Sequence, residues 1–324
     1  MDRNTIKQFT HNAKSFLSLE NNLYKQWVFR YTFLELEKDL GTKGDITTNY
    51  IFDRNEKRPV KAKVIAKEAG VVAGIEEVKY FLVDADPNFR PHIRGNFGIM
   101  FKVEDGDRVE QGDILMEISA DIHDLLAVER VLLNLLMRMS GIATFTRNLS
   151  DKVKKYGTLV TPTRKTLWGL LDKKAASVGG GGTHRLNLAD SVIVKDTHLD
   201  VMDRDFGEVL KRVIDHKPDC KFVEVEVLNE KEALIAAEKL YDLLKGSGLM
   251  DIGVIMFDNM KPEEISKALD EMKNKKLYDN LLFEASGGID EKNIERYAET
   301  GVDIVSMGCI TNGVKSLDMS LKII

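Results

Sequence analysis

The chain has 324 residues, of which 43% are hydrophobic and 31% charged, so it can form one or two folded domains with a sizeable core and is not intrinsically disordered. Its 47 Lys and Arg residues are outnumbered by 52 Asp and Glu residues, which excludes a general electrostatic attraction to nucleic acid or to anionic membranes. The two cysteines lack metal-ligand spacing and exclude a disulfide framework, and the lack of a long apolar run or a signal-peptide core predicts a cytoplasmic protein.

The first part of the chain predicts helices followed by strands. Residues 1–40 are rich in apolar residues typical of a helix, and the segment GTKGDITT at 41–48 ends this pattern with glycines and the cap-like Asp45. Residues 60–74 partly alternate between polar and apolar positions and end in glycines, which indicates strands. Residues 101–118 predict a strand, a turn and a second strand.

The segment 101–118 is similar to the hairpins of biotinyl and lipoyl carrier domains, so a carrier function has to be considered. Such a domain needs an acceptor lysine exposed in a tight turn. The turns here are EDGD and EQGD, and neither contains a lysine. We therefore interpret this part as a β-rich structural lid.

A long helix is predicted over residues 121–150, where an apolar stripe repeats at helical spacing. Arg130 and Asn134 interrupt the stripe one helical turn apart, so both lie on the same face. From about residue 157 the pattern changes to six short apolar runs, several of them followed by helical segments. The runs are 158–162, 191–195, 222–227, 252–257, 281–285 and 302–307.

Short apolar strands that alternate with helices indicate parallel βαβ units, and six of them in series favour a barrel over an open sheet. No GxGxxG motif follows the first run, which argues against a dinucleotide-binding fold. In a β/α barrel the reacting groups lie at the carboxyl ends of the strands. Nearly every run here ends in polar, charged or glycine residues, namely Thr163–Lys165, Lys195–Asp196, Asp258–Asn259, Ser286–Gly288 and Gly308.

The third run, FVEVEV, alternates, so its valines face one way and Glu224 and Glu226 the other, towards the barrel interior. Carboxylates in such a place need cations or a metal ion. The candidate partners lie in one stretch with the glycines at 179–182, whose backbone N–H groups could approach an anion. These partners are Arg164, Lys165, His184, Arg185, Lys195 and His198.

This cluster favours a small, multiply charged ligand, because Arg binds carboxylate or phosphate bidentately and Lys adds a point charge. The alternative is a set of surface ion pairs beside a flexible glycine loop. Ser286–Gly288 and Gly308 follow the last two runs, where barrels often capture phosphate, although such a turn is often only a turn.

These residues resemble a known family, nicotinate-nucleotide pyrophosphorylase (carboxylating), also called quinolinate phosphoribosyltransferase. The matching segments follow the family order from about residue 37 to the C-terminus, and together they are highly specific. They are GDITT (44–48), ERVLLNLLMRMSGIAT (129–144), TRKT (163–166), GGGGTHR (179–185), VIVKDTH (192–198), VEVEV (223–227), FDNM (257–260) and EASGGI (284–289).

The resemblance implies an α/β fold with an open-faced N-terminal α/β sandwich, residues 1–140, followed by an incomplete, six-stranded α/β barrel, residues 141–314. Residues 315–324 are expected to pack on the sandwich. The resemblance also implies transfer of phosphoribose from phosphoribosyl pyrophosphate to quinolinate in NAD biosynthesis, which yields nicotinate mononucleotide, CO2 and pyrophosphate. It further implies Mg2+ as cofactor and a homodimer, with assembly beyond a dimer left open.

The resemblance also assigns roles to individual residues. Arg130 is donated across the dimer interface, and Arg164, Lys165, His184, Arg185 and Lys195 surround the base. Glu226 and Asp258 serve the ribose hydroxyls and Mg2+, and Ser286, Gly287, Gly288 and Gly308 hold the 5-phosphate. Lys165, Lys195, Glu226 and Asp258 are the catalytic candidates, and Lys165, Lys195 or His184 is expected to protonate the decarboxylated ring.

The chain departs from the family pattern at Pro162, Trp168, Leu171, Thr183 and Thr197, and at Asn312 with Gly313. Trp168 either lines an altered base pocket or packs under the loop. Because the principal basic residues are retained, the departures bear on substrate identity more than on reaction class. Three alternatives therefore stay open: a paralogous transferase for another aromatic base, an aldolase-like barrel that would need a Schiff-base lysine, and a non-catalytic metabolite sensor or carrier.

Overall fold

A computed structural model of the chain describes residues 2–53, 55–85, 92–216, 219–249 and 252–324. The chain divides into two compact units. The barrel unit comprises residues 1–14, 148–167 and 180–313, and the sandwich unit comprises residues 15–147, 168–179 and 314–324. Within the described residues, no helix combines the length and the apolar character needed to cross a bilayer.

The strands fall into an N-terminal group, a central parallel group and a C-terminal strand. They are β1 Pro59–Ala66, β2 Gly70–Val71, β3 Gly98–Phe101, β4 Arg108–Val109, β5 Ile114–Asp121, β6 Leu159–Pro162, β7 Val192–Val194, β8 Val223–Val227, β9 Gly253–Asp258, β10 Leu282–Ser286, β11 Ile304–Met307 and β12 Met319–Ile323. Each of the six predicted apolar runs overlaps one of the strands from β6 to β11, so these predictions are confirmed.

The helices are α1 Arg3–His11, α2 Asn22–Leu40, α3 Ile46–Ile51, α4 Ile75–Lys79, α5 Ile122–Val153, α6 Leu170–Val178, α7 Asp196–Val201, α8 Phe206–Asp215, α9 Glu230–Ser247, α10 Pro262–Asn274, α11 Ile294–Glu299 and α12 Cys309–Asn312. The predicted interruption after residue 40 is confirmed, because α2 ends at Gly41, whose φ is +52°, a conformation that favours glycine. Asp45 caps α3 by accepting a hydrogen bond from the Thr48 N–H at 3.1 Å.

The sandwich unit contains an antiparallel sheet in the order β12-β1-β5-β3. Alternate residues of β1 turn inward, and Ala62, Val64 and Ala66 are fully buried. The predicted strand–turn–strand segment forms the β3–β5 pair, but β4 lies between them in sequence and pairs with β2 instead. Helix α5 contributes a buried apolar stripe that includes Leu132 and Leu136.

The barrel unit contains six parallel strands in the order β6-β11-β10-β9-β8-β7. Its first and last strands, β6 and β11, are neighbours, as they are in a closed barrel. The two edges of the sheet are β6 and β7, so the ring is open between them. This arrangement confirms the predicted incomplete, six-stranded barrel. Because all six carboxyl ends lie on one side, the residues that follow the strands are brought together there.

Helix α1 belongs to the barrel unit, although the sequence groups it with the N-terminal domain. Ile6 packs against a buried core formed at the start of the barrel strands, whose members are Leu159, Phe222, Val254, Leu282 and Ile304. The Arg3 guanidinium donates two hydrogen bonds of 2.6 Å to Asp303. The helix therefore covers the amino ends of the strands, opposite the mouth.

Candidate active site

A cavity of about 510 Å³ opens at the carboxyl ends of the barrel strands, a volume suited to a small-molecule ligand. Every residue to which the family resemblance assigns a role, except Arg130, lines it. The lining residues are Thr163, Arg164, Lys165, His184, Arg185, Ile193, Lys195, Asp196, Glu226, Met256, Asp258, Asn259, Ser286, Gly287, Gly288, Ile289, Ser306, Met307 and Gly308.

The strand order separates the charges around the cavity. Cationic residues follow the two edge strands, β6 and β7. Glycines follow β11 and β10, and carboxylates lie at the ends of β9 and β8. In spatial order the residues are Arg164 and Lys165 after β6, Gly308 after β11, Ser286–Gly288 at β10, Asp258 at β9, Glu226 in β8 and Lys195 after β7. One end of the cavity thus attracts anions, while the middle attracts cations.

Two arginines converge at the cationic end. Arg185 is only 5% exposed, and its guanidinium donates to the Ser191 carbonyl at 3.2 Å. Burial lowers the pKa of Arg185, and the neighbouring charge of Arg164 lowers it further. The carboxylates of Glu224, Glu226 and Asp190 oppose this shift. Two guanidinium groups that line the same cavity, one of them buried, suit an anionic ligand. A planar carboxylate matches the fork of a guanidinium.

The carboxylates in the middle of the cavity are partly compensated. Glu226 is 7% exposed, and its Oε1 accepts a 2.7 Å hydrogen bond from Lys195 Nζ. Burial raises the pKa of Asp258, and the charge of Glu226 raises it further. A cation at this point would relieve the repulsion between the two carboxylates. Their oxygen donors are of the kind that Mg2+ prefers, so this pair fits a magnesium ion.

The backbone at the glycine end adopts conformations that glycine allows. Gly287 and Gly288 have φ angles of +87° and +64°. A Cβ on Gly287 would lie 2.8 Å from the backbone nitrogen of Asn259, so this position has room only for hydrogen. The Ser306 hydroxyl donates to the Ser286 hydroxyl at 2.9 Å, which places two hydroxyls beside the turn. The geometry suits an anionic group approached by backbone.

A buried polar cluster continues from the cavity wall into the barrel interior. His184 is 6% exposed, and its Nε2 lies 3.1 Å from Glu284 Oε2 and 3.6 Å from Glu224 Oε2. Glu224 and Glu284 are fully buried. Burial raises the pKa of Glu224 well above its ordinary value, and the charges of Glu284 and Glu226 add to this. The predicted inward orientation of Glu224 and Glu226 is confirmed.

Arg130 lies exposed on α5 in the sandwich unit, and its expected place in the site of a second subunit stays a prediction.

Two other expectations are not met at the cavity. The glycines at 179–182 are absent from the described residues that line the cavity, so their predicted approach to an anion is wrong. Two of them serve close packing: a Cβ on Gly182 would lie 2.6 Å from the His11 carbonyl oxygen, and one on Gly179 would meet the Ala143 carbonyl. His198 also turns away, because its Nδ1 accepts from the Lys195 N–H at 2.9 Å.

The departures from the family pattern all fall outside the described lining of the cavity. Trp168 packs within the sandwich unit, with its ring 4.6 Å from that of Tyr31 and 5.2 Å from the Arg138 guanidinium carbon. The structure therefore favours the packing role for Trp168 over a role in the base pocket. Leu171 is fully buried in the same unit.

Two residues at or near the cavity were not predicted to belong to the site. Asn259 follows Asp258 in the sequence, has a φ of +54°, and donates to the Asp258 carboxylate at 2.9 Å. Its place at the end of a run was a usable signal. His11 contacts the buried cluster from α1, and no pattern in the first 40 residues singles it out. Only the tertiary position of α1 reveals it.

Comparisons with known proteins agree with this geometry. The family model for the N-terminal domain of quinolinate phosphoribosyl transferase matches residues 45–140, and the model for its C-terminal domain matches residues 142–322. The probable nicotinate-nucleotide pyrophosphorylase (carboxylating) of Methanocaldococcus jannaschii is 38% identical over 309 residues, which cover 93% of this chain and 99% of that relative.

The corresponding probable enzyme of Methanothermobacter thermautotrophicus is 37% identical over 292 residues, covering 89% of this chain and 96% of that protein. The solved structure of the nicotinate-nucleotide pyrophosphorylase from Francisella tularensis is 28% identical and superposes with a TM-score of 0.75, covering 92% of this chain and 96% of that chain. The chain therefore belongs to the quinolinate phosphoribosyl transferase family.

Proposed function

We propose that this protein transfers phosphoribose from phosphoribosyl pyrophosphate to the ring nitrogen of quinolinate, releasing pyrophosphate and CO2. The observation that carries the proposal is the charge separation within one cavity, where Arg164 and Arg185 converge at one end and Glu226 and Asp258 stand beside them. Family membership supports the same reaction. A cytoplasmic location stays a prediction.

The cationic end is suited to the base. Quinolinate carries two adjacent carboxylates on a flat ring, and guanidinium groups bind carboxylates in a planar, bidentate manner. The Arg164 charge lowers the pKa of Arg185, so an anion at this end would stabilise the charged form of both side chains. Binding of the dianion would orient the ring nitrogen towards the middle of the cavity, which lowers the entropic barrier to attack.

The carboxylates and the glycine turn are suited to the sugar diphosphate. Glu226 and Asp258 would bind the ribose hydroxyls and hold Mg2+, directly or through water. When bound, the ion would neutralise charge that develops on the departing diphosphate. The 5-phosphate would lie against Ser286–Gly288 and Gly308. Lys165 lies near Gly308, because a Cβ added to Gly308 would be 3.2 Å from the Cδ of Lys165.

The reaction balances in two steps. The bond between ribose C1 and the diphosphate oxygen breaks as the pyridine nitrogen shares its lone pair with C1, and carboxylates nearby stabilise the cation-like ribose. The ring nitrogen is then positive. The bond from ring C2 to its carboxylate breaks, CO2 leaves, and the electron pair stays on C2 next to the positive nitrogen until a proton is added there.

Lys165 or Lys195 is the proposed proton donor. His184 is the less suitable candidate, because its Nδ1 accepts a 2.8 Å hydrogen bond from the Arg185 N–H and its Nε2 faces Glu284. Both ring nitrogens are thus engaged within the protein. Each lysine reaches the cavity wall, and Lys195 is additionally held by Glu226.

The working assembly is proposed to be a homodimer in which Arg130 of one subunit completes the site of the other. This proposal rests on the family resemblance. It agrees with the exposure of Arg130 on α5, where the side chain is accessible to a second molecule.

The experiment that tests the proposed substrate is a panel of pyridine and pyrimidine carboxylates, each assayed for pyrophosphate release with phosphoribosyl pyrophosphate and Mg2+. We expect quinolinate to have the highest kcat/KM, because none of the departure positions is among the described residues that line the cavity. A higher kcat/KM for another base would favour the paralogous transferase. Binding without turnover would favour a metabolite sensor.

A further inference from the structure

The last residue of α1 contacts the active-site wall from beneath. His11 is fully buried, and its ring stacks on Phe222 at 4.4 Å and meets the His184 ring edge-on at 5.1 Å. Its backbone carbonyl accepts hydrogen bonds from the N–H groups of Thr183 and His184, at 2.8 and 3.2 Å. Both the backbone and the side chain of His11 therefore support the segment that leads into Arg185.

Hydrogen-bond partners fix the tautomer of His184. A backbone N–H can only donate, so the 2.8 Å contact from the Arg185 N–H makes Nδ1 of His184 an acceptor. The proton of the neutral ring then lies on Nε2, which donates to Glu284 at 3.1–3.2 Å. His184 is thus held at both ring nitrogens.

The second histidine of the cluster faces the same carboxylate. Nε2 of His11 lies 3.5 Å from Glu284 Oε2, and neither atom has a hydrogen-bond partner among the described groups. Nδ1 of His11 lies 2.8 Å from the Thr10 hydroxyl, which can donate or accept there. A proton on Nε2 of His11 makes the contact with Glu284 attractive, whereas a lone pair facing the carboxylate would be repulsive.

The four groups of this cluster also lie close enough together to hold a metal ion, because the ligand atoms of His11, His184, Glu224 and Glu284 lie within 4.8 Å of one another. The tautomer of His184 argues against a metal ion. A ligating histidine donates its other ring N–H to a neighbour, whereas Nδ1 of His184 accepts. Ligation through Nε2 would require the ring to lose its last proton.

The turn that this cluster holds is strained. His184 has a φ of +52°, which non-glycine residues rarely adopt and which costs on the order of 1 kcal/mol. The next residue, Arg185, lines the cationic end of the cavity and has a buried Nε without a hydrogen-bond partner among the described groups. The conformation at residue 184 determines where this guanidinium lies.

We propose that His11 and Glu284 are positioning residues that hold the His184–Arg185 turn, so that the Arg185 guanidinium stays at the base-binding end of the cavity. This inference rests on the proposed function, in which Arg185 binds a quinolinate carboxylate. Neither residue touches the substrate. Their effect reaches it through His184, and helix α1 thereby becomes part of the catalytic framework.

The test compares three variants for both substrates. His11→Phe keeps the stacking on Phe222 and the backbone carbonyl but removes the polar ring atoms. We expect its KM for quinolinate to rise about tenfold, because the buried Glu284 carboxylate loses its polar neighbour, while its KM for phosphoribosyl pyrophosphate stays within about twofold. His11→Gln places an amide donor near Glu284 and should recover most of the loss.

The matched control is Arg3→Ala, which removes the ion pair to Asp303 and loosens α1 without touching the cluster. We expect it to lower Tm while leaving both KM values unchanged. The proposal would be wrong if folded His11→Phe raised both KM values equally or raised neither. It would also be wrong if Arg3→Ala raised the KM for quinolinate as much as His11→Phe does. In either case the role of His11 would be only structural.

A measurement without substrate separates this inference from the proposed function. Imidazole ¹⁵N shifts of the wild-type protein should show His184 as the Nε2–H tautomer, and His11→Phe should change those shifts. If the wild type does not turn over quinolinate but His184 has this tautomer, the proposed function fails and the positioning geometry stands. A different tautomer, or one bound zinc ion per chain by elemental analysis, would overturn the inference.

Discussion

Lys195 Nζ lies 2.7 Å from Glu226 Oε1, and this ion pair joins the proposed base-binding end of the cavity to the proposed ribose-binding end. The lysine follows the edge strand β7 and the glutamate belongs to β8, so the parallel pairing of these strands brings them together. Glu226 is 7% exposed, while the Lys195 side chain is 42% exposed. The pair therefore places a mobile ammonium group over a buried carboxylate.

Removal of the Glu226 charge should abolish most of the activity without unfolding the protein. In Glu226→Gln the side chain keeps its shape, but Lys195 loses its counterion and the ribose loses electrostatic stabilisation. We expect kcat/KM to fall by at least about 100-fold, as for removal of one group that stabilises the transition state. The measurement is the steady-state rate of pyrophosphate release.

The control for this variant is Glu291→Gln, which breaks an exposed pair with Lys152. Such a pair contributes no more than about 1 kcal/mol, so kcat/KM should not change. A Glu226→Gln enzyme with near-normal kcat/KM would show that the carboxylate is not part of the reaction.

A methyl group at position 287 should weaken the binding of phosphoribosyl pyrophosphate. Gly287→Ala adds a Cβ against Asn259 at a φ of +87°, whereas Gly288→Ala adds one in open space at a φ of +64°. We expect the first variant to raise the KM for phosphoribosyl pyrophosphate strongly and the second to cost only about 1 kcal/mol of backbone strain. Gly246→Ala, in α9 with open space, should be neutral or stabilising. Equal KM values in all three would contradict the proposed role of this turn.

A mixing experiment tests whether Arg130 acts in the neighbouring subunit. Arg130→Ala and Lys165→Ala should each be nearly inactive. If the two residues of one site come from different subunits, each heterodimer of the two variants contains one intact site and one site with both substitutions. Random subunit exchange makes about half of the dimers heterodimers, so about a quarter of the full activity should return. No recovery, with heterodimers demonstrated by mass, would place both residues in the same chain's site.

The stability of the sandwich unit should decrease as pH rises from about 4.5 towards neutrality. Burial raises the pKa of Glu77 from 4.5 to about 7, with the charge of Asp105 adding to this, and burial raises the pKa of Asp105 to about 6. The folded protein therefore keeps protons that the unfolded chain releases above its ordinary pKa. The free energy of unfolding falls across roughly pH 4.5–7, by up to about 1.4 kcal/mol per pH unit for one group.

Glu77→Gln removes the larger part of this effect while still accepting the 2.6 Å hydrogen bond from the Tyr24 hydroxyl. Between pH 5 and pH 8 the free energy of unfolding of this variant should fall by about 2 kcal/mol less than that of the wild type, as measured by urea unfolding. The exposed control Glu110→Gln should show the wild-type dependence. Parallel curves for wild type and Glu77→Gln would mean that Glu77 is ionised throughout.

The barrel and most of its site could be predicted because parallel strands leave a local pattern. Runs such as FVEVEV are short, apolar and bounded by polar residues, and the carboxyl ends of parallel strands meet at one mouth. The places of Lys195, Glu226, Asp258 and Gly287 follow from these two facts. The fold-level resemblance then adds the reaction and the individual roles.

The remaining features depend on tertiary contacts that leave no local pattern. The place of α1 beneath the barrel depends on Ile6 reaching the strand core and on Arg3 reaching Asp303, across about 300 residues of sequence. The glycines at 179–182 look like an anion loop, but at Gly179 and Gly182 neighbouring backbone atoms require the small size of glycine. Likewise, the packing partners of Trp168 come from α2 and α5 and could not be inferred from its motif.

The most direct test of the central claim is the stoichiometry of products from quinolinate, phosphoribosyl pyrophosphate and Mg2+. CO2, pyrophosphate and nicotinate mononucleotide should appear in equal amounts and at equal rates. The release of CO2 and the release of pyrophosphate should decrease together in Glu226→Gln. Pyrophosphate release without CO2, or turnover only with a base that has no carboxylate next to its ring nitrogen, would contradict the account.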